Sequence, residues 1–239
     1  MMSSRITLGE IEAEVVFKDI RNVHLTVLPP KGRVRISAPR HMALDTVRVF
    51  ALSKLVWIKG QRESMASQDR EAPREYLERE SHYVWGRRYL LKLIEVDATS
   101  SVELRHRTLV LVIRPNAGAA AKDALLARWY RDQVRLRAAT LVAKWSRVLG
   151  LDIPRVHVQH MKTKWGSCSP ARRSIRLNTE LAKKPPRCLE YIVLHELVHL
   201  LEPTHNERFK AFMRTFMPEW EERRRELNRL PVRHEDWDH

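Results

Sequence analysis

The eleven residues Tyr191-Ile192-Val193-Leu194-His195-Glu196-Leu197-Val198-His199-Leu200-Leu201 are apolar or aromatic except for two histidines and one glutamate. A helix so uniformly apolar has to be buried. Two imidazoles and a carboxylate inside it are unfavourable by roughly several kcal/mol unless they are paired or share a metal. Helical spacing offers the metal: His195 and His199 stack on one face, close enough for both rings to reach one ion at about 2.0–2.1 Å. Glu196 lies about 100° further round the same side of the helix, placed to act on water at the ion instead of ligating it. His-Glu-x-x-His is the spacing of zinc hydrolases.

A catalytic zinc takes three protein ligands and keeps one position open, so a third ligand is expected. Pro203 disfavours helical geometry at Glu202 and should end or kink the helix there. Thr204-His205-Asn206-Glu207 then reads as a capping box opening a second helix, with Phe209, Phe212, Met213 and Phe216 as its apolar stripe. That places His205 in the first turn, and a chain turning just after the motif swings its side chain back toward the ion. His205 is therefore the expected third ligand. Glu202 is the competitor, since a helix running straight on would bring it to roughly the same side. His157 and His160 differ by three positions on a strand and so point to opposite faces.

Around this segment the pattern is mixed. Alternating runs in residues 11–37 flank Pro29-Pro30-Lys31-Gly32, a strand, turn, strand signature. Residues 45–61 follow helical spacing, and the charged stretch 62–80 reads as a linker or an exposed helix. Strand-like alternation resumes over 83–96 and 102–113, and a long helix is expected from Ala119 to Leu149, closed by Gly150. Strands at 155–161 and 174–178 enclose a hairpin-like loop at 162–173, and a charged helix carrying Trp220 and Leu227 follows the stripe. The fold class is α+β, with a β-rich region over 1–116 containing one helix and the metal-helix core over 117–239. No internal repeat is visible in the sequence.

Composition narrows the setting. The net charge is +15 and the sequence pI about 10.3, with residues 21–62 and 155–188 each carrying a net +8. Such segments attract anions, so non-specific nucleic-acid contact is a second expectation beside a peptide or protein substrate. Two cysteines, Cys168 and Cys188, in 239 residues point to a reducing compartment. No apolar stretch approaches a bilayer span and Met1-Met2-Ser3-Ser4-Arg5 opens no signal peptide, so a cytoplasmic protein without membrane partner is expected.

Several ordered motifs together resemble one family, the YgjP-like metallopeptidases, a zincin group related to the SprT-like proteins. They are Arg33-Val34-Arg35-Ile36-Ser37-Ala38-Pro39, Lys162-Thr163-Lys164-Trp165-Gly166-Ser167-Cys168-Ser169, Ile175-Arg176-Leu177-Asn178, and His195-Glu196-Leu197-Val198-His199 followed by His205 and Phe209. The resemblance implies one zinc per chain on His195, His199 and His205, with Glu196 as general base for hydrolysis of peptide bonds. It also implies a compact zincin-like core, with a strand above the motif helix bordering the substrate cleft. Arg173, Ser174, Ile175, Arg176, Leu177 and Asn178 are the candidates for that strand, pairing an extended peptide by backbone hydrogen bonds. An ordinary strand under the core is the other reading of the same residues. Trp165, Gly166, Ser167 and Cys168 form a further motif in the preceding loop, where Cys168 is either a fourth, inhibitory ligand or a buried, inert thiol. The alternative to an endopeptidase is a basic nucleic-acid-associated protein whose zinc is structural or vestigial; three histidines with an adjacent glutamate leave a position open and favour catalysis.

Overall fold

The computed structural model describes residues 3–28, 32–67 and 74–231. They divide into two compact units, the first ending at Arg70 and the second beginning at Glu71.

In the first unit β1 (Ser3–Leu8), β2 (Ile11–Lys18), β3 (His24–Leu28) and β4 (Arg33–Pro39) form one sheet in the order β1-β2-β4-β3. The outer pairs are antiparallel and the central pair is parallel. Period-two alternation sets the faces: Ile11, Ala13 and Val15 of β2 and Val34, Ile36 and Ala38 of β4 are buried. On the opposite face Glu14 and Arg35, in register, pair at 2.9 Å. Part of the 29–32 turn lies outside the described residues. The single helix expected over 45–61 is two, α1 (Leu44–Ser53) and α2 (Leu55–Ser67), broken at Lys54, whose φ is −104° and ψ 7°. A straight helix over both segments would be about 36 Å long, longer than the strands beneath it. The break keeps Val47, Ala51 and Ile58 in one core.

The second unit overturns the expected boundary at 116/117. β5 (Ser81–Val84), β6 (Arg87–Glu95), β7 (Ser101–Arg105) and β8 (Thr108–Ile113) form a sheet in the order β5-β6-β8-β7, repeating the topology of the first. This sheet shares one core with the helices that follow: Val84, Leu91, Leu109 and Leu111 pack in the same cluster as Leu126, Val134, Leu189 and Leu194. The N–H of Trp85 donates to Ala182 O at 2.7 Å and the Tyr130 hydroxyl to Tyr83 O at 3.0 Å, so the chain is stitched across that point. The compositional switch at 116 marks a change from sheet to helix within one core. The charged stretch 62–80 holds the end of α2, and its middle, 68–73, lies outside the described residues.

Helix α3 (Ala119–Leu149) buries Leu126, Tyr130, Val134, Ala138, Val142 and Trp145, an i, i+4 stripe with one i+3 step. It ends where Gly150 adopts φ +66°, and Leu151 N–H reaches back to Ser146 O at 2.8 Å, as a glycine C-cap requires. Then follow β9 (Arg155–Gln159), β10 (Gly166–Ser169), β11 (Ser174–Asn178), α4 (Pro186–Val198), α5 (Glu207–Phe216) and α6 (Trp220–Arg229). The small sheet has the order β10-β11-β9, with β11 antiparallel to β10 and parallel to β9. The 162–173 loop thus contains a strand, and β11 is central. No helix among the described residues is long and apolar enough to cross a membrane.

Candidate metal centre

Helix α4 is buried along nearly its whole length, as its apolar sequence demands. His199 follows its last residue with φ −65° and ψ −16°, still helical, so it keeps the same face as His195. Glu202 N–H closes the last turn on Val198 O at 2.8 Å, and the chain turns at Pro203. Within the turn the Glu202 carboxylate accepts from the Thr204 hydroxyl at 3.1 Å. The expected capping box is corrected here: Asn206 is the N-cap of α5, its side chain accepting from Phe209 N–H at 3.0 Å, and His205 stands just before it.

This route brings the three imidazoles together. His205 Nε2 lies 3.0 Å from His195 Nε2 and 3.1 Å from His199 Nε2. Nitrogens about 2.0–2.1 Å from a tetrahedral ion stand about 3.3–3.4 Å apart, within a few tenths of what is found. His199 Nδ1 lies 3.0 Å from Glu202 O and donates to it, which leaves its Nε2 as a lone pair. Three imidazole nitrogens turned toward one point at such range match the donor set of a metal. Among the described residues the group able to hold one comprises His195, His199 and His205 and excludes Cys168, Glu202, His157 and His160. Phe209, 1% exposed, is the floor of the site: its ring centroid lies 4.7–4.9 Å from all three imidazoles.

Burial dominates the electrostatics. It pushes His195 down to about 3, aided by His199, His205 and Arg224. Burial also lowers His205, and it lowers His199 despite the bond to Glu202. All three are therefore neutral near pH 7, the form in which imidazole ligates. Glu196 is 5% exposed, and burial raises it to about 8 against the opposing charge of Lys164. A cation among the histidines would draw it back down. Tyr191, edge-on to His195 at 5.7 Å, is raised by burial to about 12 and stays a phenol.

The strand assignment is corrected. Ser174, Ile175, Arg176, Leu177 and Asn178 have strand neighbours on both sides and offer no edge to a peptide, while the Arg173 guanidinium pairs with Asp152 at 2.7 Å. Ile175 and Leu177 are core. Asn178 is a clamp: its carboxamide donates to Met161 O at 2.7 Å and Lys164 O at 2.8 Å and accepts from Glu180 N–H at 3.1 Å and Met161 N–H at 3.3 Å. Trp165, Gly166, Ser167 and Cys168 run into and along β10, the edge strand beside α4, with Gly166 against Glu196 and Ile192. Cys168 is not among the converging groups, and burial with the nearby Glu196 lifts its thiol to about 11, so it is protonated. The glycine was the available signal that this loop packs closely against something. Strand order carries no such local signal.

A family model described as YgjP-like, metallopeptidase domain, matches residues 21–230. Among solved structures, the chain is similar to the metallopeptidase zymogen jannalysin of Methanocaldococcus jannaschii, at 24% identity over 38% of this chain and 86% of that one, with a TM-score of 0.35. It is also similar to the metallopeptidase zymogen abylysin of Pyrococcus abyssi, at 25% identity over 40% of this chain and 99% of that one, again with a TM-score of 0.35. No curated protein matches.

Proposed function

The chain belongs to the YgjP-like metallopeptidase family, and from that premise we propose that it is a zinc-dependent endopeptidase holding one zinc on Nε2 of His195, His199 and His205. The observation that carries this reading is the convergence of three neutral imidazoles, with His205 Nε2 within about one ligand spacing of the other two Nε2 atoms. Three protein ligands leave a position open, as catalytic zinc requires and structural zinc does not. When bound, zinc acidifies water and polarises a carbonyl oxygen.

The chain's own residues do the rest. Glu196 takes the proton from the attacking water and delivers it to the departing amine. Its carboxyl is buried, with the charge of Lys164 acting on it. The bond from His199 Nδ1 to Glu202 O orients one ligand ring, and Phe209 holds all three at a fixed height. An extended peptide pairs with the outer edge of β10, whose inner edge alone is occupied among the described residues.

The test is metal content by elemental analysis of wild type, His205→Ala and Glu202→Ala, with cleavage of a quenched-fluorescent peptide library by wild type and Glu196→Gln. Near-stoichiometric zinc lost only in His205→Ala, with cleavage abolished in zinc-replete Glu196→Gln, is expected. Wild type that takes up no zinc on reconstitution would overturn the reading.

A further inference from the structure

The glycine of β10 stands where a side chain has no room. A Cβ built on Gly166 would lie 2.5 Å from Glu196 Oε1, 2.9 Å from Glu196 Cγ and 2.9 Å from Ile192 Cγ2. Its φ lies outside the left-handed range, so the glycine serves space and not backbone conformation. Ile192 and Glu196 are one turn apart on α4, and β10 lies along the face they share.

Neither partner can withdraw easily. Helix α4 is packed into the core through Leu189, Val193, Leu194 and Leu197. The strand is held from the other side by pairing with β11, by Asn178 N–H on Trp165 O at 2.9 Å, and by the Asn178 carboxamide on Lys164 O. Between two fixed elements, the movable group is the glutamate side chain. A Cβ at position 166 comes nearest to the Glu196 carboxyl oxygen, with the Ile192 methyl next to it.

We propose that Gly166 is a positioning residue for the general base: the bare backbone of β10 forms one wall of the Glu196 side chain and fixes where its carboxyl stands. The strand expected to take the peptide and the base that acts on it are then set by one contact. A methyl at 166 has to push Oε1 out to ordinary van der Waals distance, about 3.4 Å, a displacement of about an ångström. A misplacement of that size lowers turnover by about 100-fold. The histidines, on the neighbouring face, keep their places. This inference rests on Glu196 being the base.

The experiment compares Gly166→Ala, Ile192→Ala, the double variant and Glu196→Gln by crystal structure, zinc content and steady-state kinetics on one cleaved peptide. Gly166→Ala is expected to shift the Glu196 carboxyl by about an ångström, keep full zinc, and lower kcat about 100-fold with KM within about threefold. The double variant removes the Ile192 contact and guards against a packing failure; its kcat is expected to stay low. A carboxyl that remains in place with kcat intact, a kcat restored by Ile192→Ala, or zinc lost from the double variant would each overturn the proposal. Full activity in Glu196→Gln would instead show that Glu196 is not the base, a separate failure.

Discussion

Asn178 separates a clamp from a substrate contact, and Asn178→Ala tells them apart. The side chain is 4% exposed and makes four hydrogen bonds, two donated and two accepted, tying residues 161–164 to the end of β11. Each contributes about 0.5–1.5 kcal/mol net, and an N–H orphaned at a buried residue such as Glu180 adds about 1–3 kcal/mol. Water can replace part of what Met161 and Lys164 lose, since both keep some exposure. The sum is a destabilisation of about 3 kcal/mol, or a Tm lowered by about 6–12 °C for a unit of this size. Asn178→Asp is the sharper control: it retains the acceptors but sets a carboxylate oxygen against two carbonyls, so it should be at least as harmful at pH 7 and recover part of the loss when protonated at low pH. Thermal and urea unfolding followed by circular dichroism and tryptophan fluorescence read both. A Tm unchanged within 2 °C together with a raised KM would refute the clamp and return Asn178 to the cleft.

Two further outcomes are expected. Glu190 joins three helices through Lys144 at 2.8 Å and Arg223 at 3.1 Å; burial acts to raise its pKa, but those hydrogen bonds and charges outweigh it and hold the carboxyl below its usual range. Its contribution is therefore present above about pH 4.3 and fades as pH falls through the lowered value. Glu190→Gln should lose about 1 kcal/mol at pH 7, kept small because 22% of the side chain stays exposed. A Tm gap from wild type that does not shrink between pH 7 and pH 3 would contradict this. Phe209→Ala should cost about 3–5 kcal/mol by cavity formation and weaken zinc in a chelator competition, because all three ligand rings rest on that side chain; unchanged zinc affinity would remove Phe209 from the centre.

Much of this arrangement is written locally. The apolar run around His195, Glu196 and His199 specifies a buried helix with imidazoles stacked on one face, since helical periodicity is a property of adjacent turns. Pro203 announces the bend, Gly150 the end of α3, and Trp220 and Leu227 the buried side of α6. The α+β composition follows from the same periodicities. What the chain could not state locally is strand order. Ser174, Ile175, Arg176, Leu177 and Asn178 alternate as an edge strand might, yet become central because Gly166-Ser167-Cys168-Ser169, with no β-branched residue, folds back as the edge. The unit boundary moved from 116 to 70 for a related reason: Leu91 and Leu111 find their core partners in Leu126 and Leu194, far along the chain. Periodicity and capping act over a few residues and are legible in sequence; pairing between distant strands, and the missing side chain that lets one lie against Glu196, are settled only when the whole core closes.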